Sequence, residues 1–107
     1  MSVAKFLDAS TGYMTKNDSL LLANIEKLQA IKAYRSRPRV IPHEYGWWVN
    51  VQQEGDVYVD HIAALVDAGF SASFLKVMHH ARKHGCWWIN FDQDGSKDLV
   101  GLRLFNW

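Results

Sequence analysis

His80 and His84 stand four residues apart, one helical turn, and Cys86 follows two positions later. Imidazole and thiolate at that spacing are the raw material of a zinc site. Zinc also needs further ligands and second-sphere partners that orient the imidazoles, and Cys86 is the only cysteine in the chain. The cluster therefore reads as a basic helix end, and neither metal nor cofactor is expected. Cys86, His84 and Asp92 could in principle form a small thiol-based hydrolase or transferase, and Ser10, Thr11, His43 and Glu44 add further catalytic residue types. None of them sits in a nucleophile elbow, a phosphate-binding glycine loop or a zincin pair with its glutamate. Asp92, Asp94 and Asp98 alternate as calcium-loop carboxylates do. Gly95, however, comes fourth where such a loop needs glycine sixth, and no glutamate stands at position twelve. A turn is the expected structure there, and the chain is read as a non-enzyme.

The remaining chemistry is recognition. Arg35, Arg37 and Arg39 occupy a proline-containing segment from which guanidinium groups could reach phosphates or an acidic protein patch. Lys76, His79, His80 and Lys83 fall on one side of a predicted helix and form a candidate basic surface. Overall the formal charge is only +1, which speaks against a strongly basic nucleic-acid binder and against an acidic DNA mimic alike. The charges are unevenly spread: Lys27–His43 and Ala68–Phe91 hold no acid, whereas acids gather at Glu54–Asp67 and Asp92–Asp98. Opposed charged faces of this kind steer a partner.

The elements that must position these groups follow from capping and periodicity. Val3–Leu7 could be an edge strand. Thr15 followed by Asp18 forms a capping box, and Leu21, Leu22, Ile25, Leu28 and Ile31 recur at helical spacing, predicting a helix over 16–34. Arg35–Arg39 reads as a connector, because Pro38 and Pro42 lack the N–H that a helix or central strand needs. Tyr45–Gln52, rich in aromatic and β-branched residues, is the clearest strand, and Glu54-Gly55-Asp56 turns the chain. Asp60 is then the expected N-cap of a second helix burying Ile62, Leu65 and Val66 and stopping at Gly69. Ser71 or Ser73 caps a third, with Phe74, Val77, Met78 and Ala81 inward, ending at Gly85. Cys86–Phe91 is a second strand, Gln93-Asp94-Gly95 a turn, and Val100–Asn106 a third strand closing a hairpin. Together these give one α+β domain over 1–107, about three helices packed on one face of a mainly antiparallel sheet of three to four strands.

Strand alternation selects the recognition surface. Trp47, Val49 and Val51 share a face, as do Trp87, Ile89 and Phe91, and these apolar sets should pack on the helices. The opposite sets, Trp48 with Asn50 and Trp88 with Asn90 (and Cys86), combine large aromatics with amides. Arg103, Phe105 and Trp107 of the last strand could join them. With 13% aromatic residues, the chain can fill a core and still present such a face, whose composition suits an interface hot spot. The same face could pair with itself across a two-fold axis, giving a homodimer. The lone cysteine and the lack of a charged-then-apolar leader fit a cytoplasmic protein, and no run is long enough to span a membrane.

The segments Ser10-Thr-Gly-Tyr-Met-Thr-Lys-Asn-Asp18, Tyr45-Gly-Trp-Trp-Val49, Ala81-Arg-Lys-His-Gly-Cys86 and Phe91-Asp-Gln-Asp-Gly95, with the aromatic tail, resemble a family of small uncharacterised proteins. That family, a domain of unknown function, is carried on bacterial plasmids, phages and genomic islands, often near anti-restriction and anti-defence genes. Gly12-Tyr13 stands where its pattern has Ala-His, so no role of that histidine transfers. The resemblance implies a counter-defence inhibitor in the bacterial cytoplasm, of anti-CRISPR or antirestriction type. Its expected partner is a host nuclease or CRISPR surveillance-complex subunit, blocked sterically through Trp48, Asn50, Trp88 and Asn90 with Arg35, Arg37 and Arg39 steering. The alternative is a nucleic-acid-binding accessory protein using loop 35–39 and helix 73–84.

Overall fold

The computed structural model describes residues 5–24 and 38–105. Strand β1 (Phe6–Ser10) leads through a 3-10 turn (Thr11–Tyr13) to helix α1 (Lys16–Ala23). Strands β2 (Val40–His43) and β3 (Gly46–Asn50) form a hairpin, followed by α2 (Gly55–Ala68), α3 (Ala72–Lys83) and β4 (Trp88–Asp92). The sheet order is β1-β4-β3-β2; β4 runs parallel to β1 and antiparallel to β3, and β3 is antiparallel to β2. This is the expected α+β domain, with three α-helices and a four-stranded mixed sheet among the described residues.

The helix ends obey local chemistry. Thr15 accepts from the Asp18 backbone N–H at 3.1 Å, and the Asp18 carboxylate accepts from the Thr15 N–H at 2.8 Å, a complete capping box. Ser71, not Ser73, caps α3 by accepting from Phe74 N–H at 3.1 Å. Gly69 and Gly85 stop α2 and α3 at φ +99° and +72°, a conformation that L side chains rarely adopt. Both stops are Schellman motifs. Phe70 N–H bonds to Leu65 C=O and Gly69 N–H to Val66 C=O; Cys86 N–H bonds to Ala81 C=O and Gly85 N–H to Arg82 C=O. In each, the residue after the glycine, Phe70 or Cys86, is buried.

The helices and the sheet meet in one core. Leu65, Phe74, Val77, Met78 and Ala81 pack with Ala9, Val49, Ile89 and Phe91, and the Phe74 and Phe91 rings stack at 5.4 Å. Trp47 and Leu7 lie against this cluster, as alternation requires for their side of the sheet.

Several expectations are corrected. β1 begins at Phe6, later than the expected Val3. Residues 25–37 lie outside the described residues, and with them the predicted continuation of α1 to Tyr34, its Ile25, Leu28 and Ile31, and also Arg35 and Arg37. β2 was not expected, because Pro42 argues against a central strand; β2 is an edge strand, where a missing N–H breaks no ladder. Asp60 is not an N-cap: α2 starts five residues earlier, after Glu54, so the anticipated turn at Glu54–Asp56 is the helix's first turn. Val66 is 55% exposed rather than buried. Cys86 and Trp87 precede β4, and Trp87 is 40% exposed instead of facing the core. Among the described residues, 100–105 form no strand. They cross the carboxyl ends of β1 and β4, where Phe105 N–H bonds to Gly12 C=O at 2.7 Å.

His61 of α2 is buried, and burial pulls its pKa below the ordinary histidine value, Asp60 partly offsetting this. The pKa of His80 is also lowered, first by burial, then by His84 and Lys83. A folded-state pKa below the unfolded one means that protons bind the unfolded chain preferentially. Stability is then fully present above the ordinary histidine range and falls as pH drops through it. The urea midpoint should be lower at about pH 5 than at about pH 7.5, and His61→Leu should flatten part of that slope. An unchanged midpoint would count against buried neutral imidazoles.

Candidate functional site

Register fixes which side chains share the outer face of the sheet. Trp48 pairs with Asn90 and Ile41, Asn50 with Trp88, and Phe6 with Trp88. Trp48, Asn50, Trp88 and Asn90 therefore lie together, as alternation predicts, and Phe6 and Ile41 extend the patch on its two sides. The rings of Phe6 and Trp48 meet edge-to-face at 5.2 Å and 75°. Phe6, Ile41, Trp48 and Trp88 line an open groove of about 350 Å³. Phe6 is 52% and Ile41 41% exposed, and the two tryptophans are half-buried. No helix among the described residues contributes a wall to this groove.

The amides are engaged within the sheet. Asn50 Nδ2 donates to Trp87 C=O at 3.1 Å, and its Oδ1 accepts from Gln52 Nε2 at 3.0 Å. Asn90 Oδ1 lies 2.8 Å from His43 Nε2. His43 Nδ1 accepts from the Tyr45 backbone N–H at 3.2 Å, so Nε2 carries the proton and donates to Asn90. The amides thus hold the tryptophans' neighbours in place, and the groove itself is apolar. His43, Phe6 and Ile41 were not among the sequence's candidates for this face. Phe6 lies in the anticipated edge strand, whose place beside β4 no local pattern gives, and Ile41 lies in β2, which was not expected.

The other candidates scatter. Arg39 is exposed just before β2. Arg103 stacks over Phe105 at 4.8 Å near the β1 carboxyl end, away from the groove residues, and Trp107 lies outside the described residues. Lys76, His79 and Lys83 are exposed on α3 and His80 is half-buried, its ring 4.5 Å from that of His84. Cys86 is buried beyond the end of α3. Among the described residues no group of three or more His, Cys, Asp or Glu could hold a metal ion. Cys86 and Asp92 are not brought together: Cys86 lies two residues before β4 and Asp92 is the last residue of that strand, so about 3.3 Å per extended residue separates them by roughly 20 Å. Asp92 instead accepts from Asp94 N–H at 2.8 Å and, through its carbonyl, from Gly95 N–H at 2.9 Å, making the expected turn. Ser10 caps the 3-10 turn by accepting from Gly12 N–H at 3.1 Å.

A family model described as "Family of unknown function (DUF5983) C-terminal domain" matches residues 6–107. The chain belongs to that family. The DUF5983 match spans all four strands, so groove and helices lie within the family's extent. No curated protein and no solved structure matches this DUF5983 chain. Among the described residues, none of its helices is long and apolar enough to cross a membrane.

Proposed function

We propose that this protein is a non-enzymatic binding module whose partner is another protein, docked on the outer face of the sheet. The observation that carries this reading is the groove of Phe6, Ile41, Trp48 and Trp88: four large apolar side chains, contiguous and open, on a sheet whose opposite face already holds the core. Contiguous exposed apolar surface with a rigid aromatic centre is what protein interfaces bury and where their energy concentrates. Nucleic acid is a poorer occupant, because among the described residues no cation lines the groove and Asp8 shares its face of β1 with Phe6. The finer reading, steric inhibition of a host nuclease or CRISPR surveillance-complex subunit in the bacterial cytoplasm, is supported by the motif resemblance alone.

The test is a pull-down after nuclease treatment, run in parallel with the wild type, Trp48→Ala and Trp88→Ala. Each substitution should weaken capture by about 30-fold or more, the level of a central hot spot. Loss of one half-buried ring should lower stability by about 2–3 kcal/mol, less than a domain of this size possesses. Capture of a nuclease or surveillance subunit would also carry the finer reading, and self-capture would replace the foreign partner by a second copy. Undiminished capture by both variants, or a variant that no longer folds, would sink the proposed face.

A further inference from the structure

On the helical layer, Tyr58 of α2 is buried with its hydroxyl bonded to His79 Nδ1 of α3. One turn further along α3, the Arg82 guanidinium lies over the Tyr58 ring, 4.3 Å from its centroid. Arg82 Nη2 donates to Gln53 C=O at 3.3 Å, while Arg82 Nε is buried without a hydrogen-bond partner. Gln53 is itself pinned through Nε2 to Cys86 C=O at 2.7 Å. Around these groups is a cavity of about 300 Å³ lined, among the described residues, by Gln53, His79, Arg82 and Lys83 and by no acid.

We infer that this cavity binds the phosphate group of a small phosphate monoester, held by Arg82, Lys83 and His79. The argument is one of unmet capacity in a fixed frame. A guanidinium offers five N–H donors in a rigid fork matched to tetrahedral oxyanions, and Arg82 lines the cavity beside Lys83 and His79 while Nη2 also bonds to Gln53. Stacking on Tyr58 and the bond to Gln53 immobilise the guanidinium, so little further ordering is needed when an anion arrives. Burial pushes the Tyr58 hydroxyl up to about 12, against the lowering effect of Arg82, so it stays protonated and brings no negative charge to the cavity wall. With Nδ1 engaged by Tyr58, Nε2 is the ring nitrogen left to meet an anion, donating to it when protonated. Glu54 and Asp56 at the adjoining start of α2 lie outside the lining and repel extended polyanions. A single phosphate group therefore fits better than a nucleic-acid backbone. The site is separate from the sheet groove and does not depend on it.

The experiment is an NMR titration of the intact protein with inorganic phosphate and, separately, with glucose 6-phosphate, at constant ionic strength maintained by chloride. The expected result is a saturable shift of the His79 ring signals by both anions, weaker by about tenfold in Lys83→Gln and in Arg82→Gln, and unchanged in Trp88→Ala. Because Arg82 also packs on Tyr58, exposed Lys83 is the variant whose fold is not in question. Shifts that grow linearly without saturating, equal shifts from chloride, or an unaltered affinity in folded Lys83→Gln would overturn the inference. So would binding of an oligonucleotide duplex with no response to either small phosphate.

Discussion

Asp18→Ala should lower the unfolding free energy by about 3–5 kcal/mol, a large part of what a domain of this size possesses. Asp18 is completely buried, and its carboxylate serves three donors from two elements. Oδ2 accepts from the Thr15 N–H at 2.8 Å and from Ser71 Oγ–H at 2.5 Å, and Oδ1 accepts from the Ser71 N–H at 2.8 Å. One side chain thus completes the cap of α1 and ties it to the cap of α3, 53 positions away in the chain. Alanine leaves two partly buried backbone N–H groups without their acceptor, each costing about 1–3 kcal/mol, and removes the charge that strengthened all three bonds. Asp18→Asn should lose less, about 2 kcal/mol, since the Ser71 hydroxyl can rotate to accept from the new amide but the Thr15 N–H cannot. Urea denaturation measures both, and a cycle with Ser71→Ala should show strong coupling. A loss below about 1 kcal/mol in Asp18→Ala would mean that water replaces the carboxylate. Loss of the carboxylate also loosens the cap of α3, the helix that carries the proposed phosphate ligands His79, Arg82 and Lys83.

Gly46→Ala should be the most damaging single-methyl addition, with a loss of about 3 kcal/mol or more, or no folded protein. A Cβ at Gly46 would stand 1.8 Å from the Phe91 carbonyl oxygen and 2.8 Å from its carbon. Those are backbone atoms of the neighbouring strand, so no rotamer change relieves the overlap, and β3 must separate from β4 at that end. The cost falls on the sheet that displays Trp48 and Trp88. Thermal melts should show a drop of many degrees, and amide exchange should quicken first at Gly46–Trp48 and Phe91–Asp92. A near-wild-type melting temperature would show that the two strands can part locally at little cost. As a contrast, Gly55→Ala meets nothing closer than the Arg82 guanidinium at 4.0 Å and should be tolerated.

What the sequence determined by itself is everything that depends on neighbours within a few residues. Thr15 and Asp18 announce a capping box because its two bonds close within one turn. Gly69 and Gly85 announce helix stops because only the backbone conformation at one residue is at stake. The partition of Trp47 and Val49 from Trp48 and Asn50, and of Ile89 and Phe91 from Trp88 and Asn90, follows from alternation alone, so the centre of the candidate face was legible before any contact was known. Trp87, taken with the inward set, was misplaced because β4 starts one residue after it.

Tertiary structure decided the rest. Whether Pro42 can lie in a strand depends on that strand's place at the sheet edge, which no local pattern encodes. Glu54-Gly55-Asp56 suits a turn and a first helical turn equally, and packing of Tyr58 into the core selects the helix. Residues 100–105 have strand-like alternation, yet Phe105 bonds to Gly12 across the sheet's end instead of extending a ladder. The parallel pairing of β1 with β4, the Asp18–Ser71 tie and the joining of Tyr58, His79 and Arg82 with Gln53 each unite groups 20 or more positions apart. Such contacts form only when the buried apolar surface of the whole domain offsets the entropy of closing those loops, so they belong to the fold and cannot be read from any window of the chain.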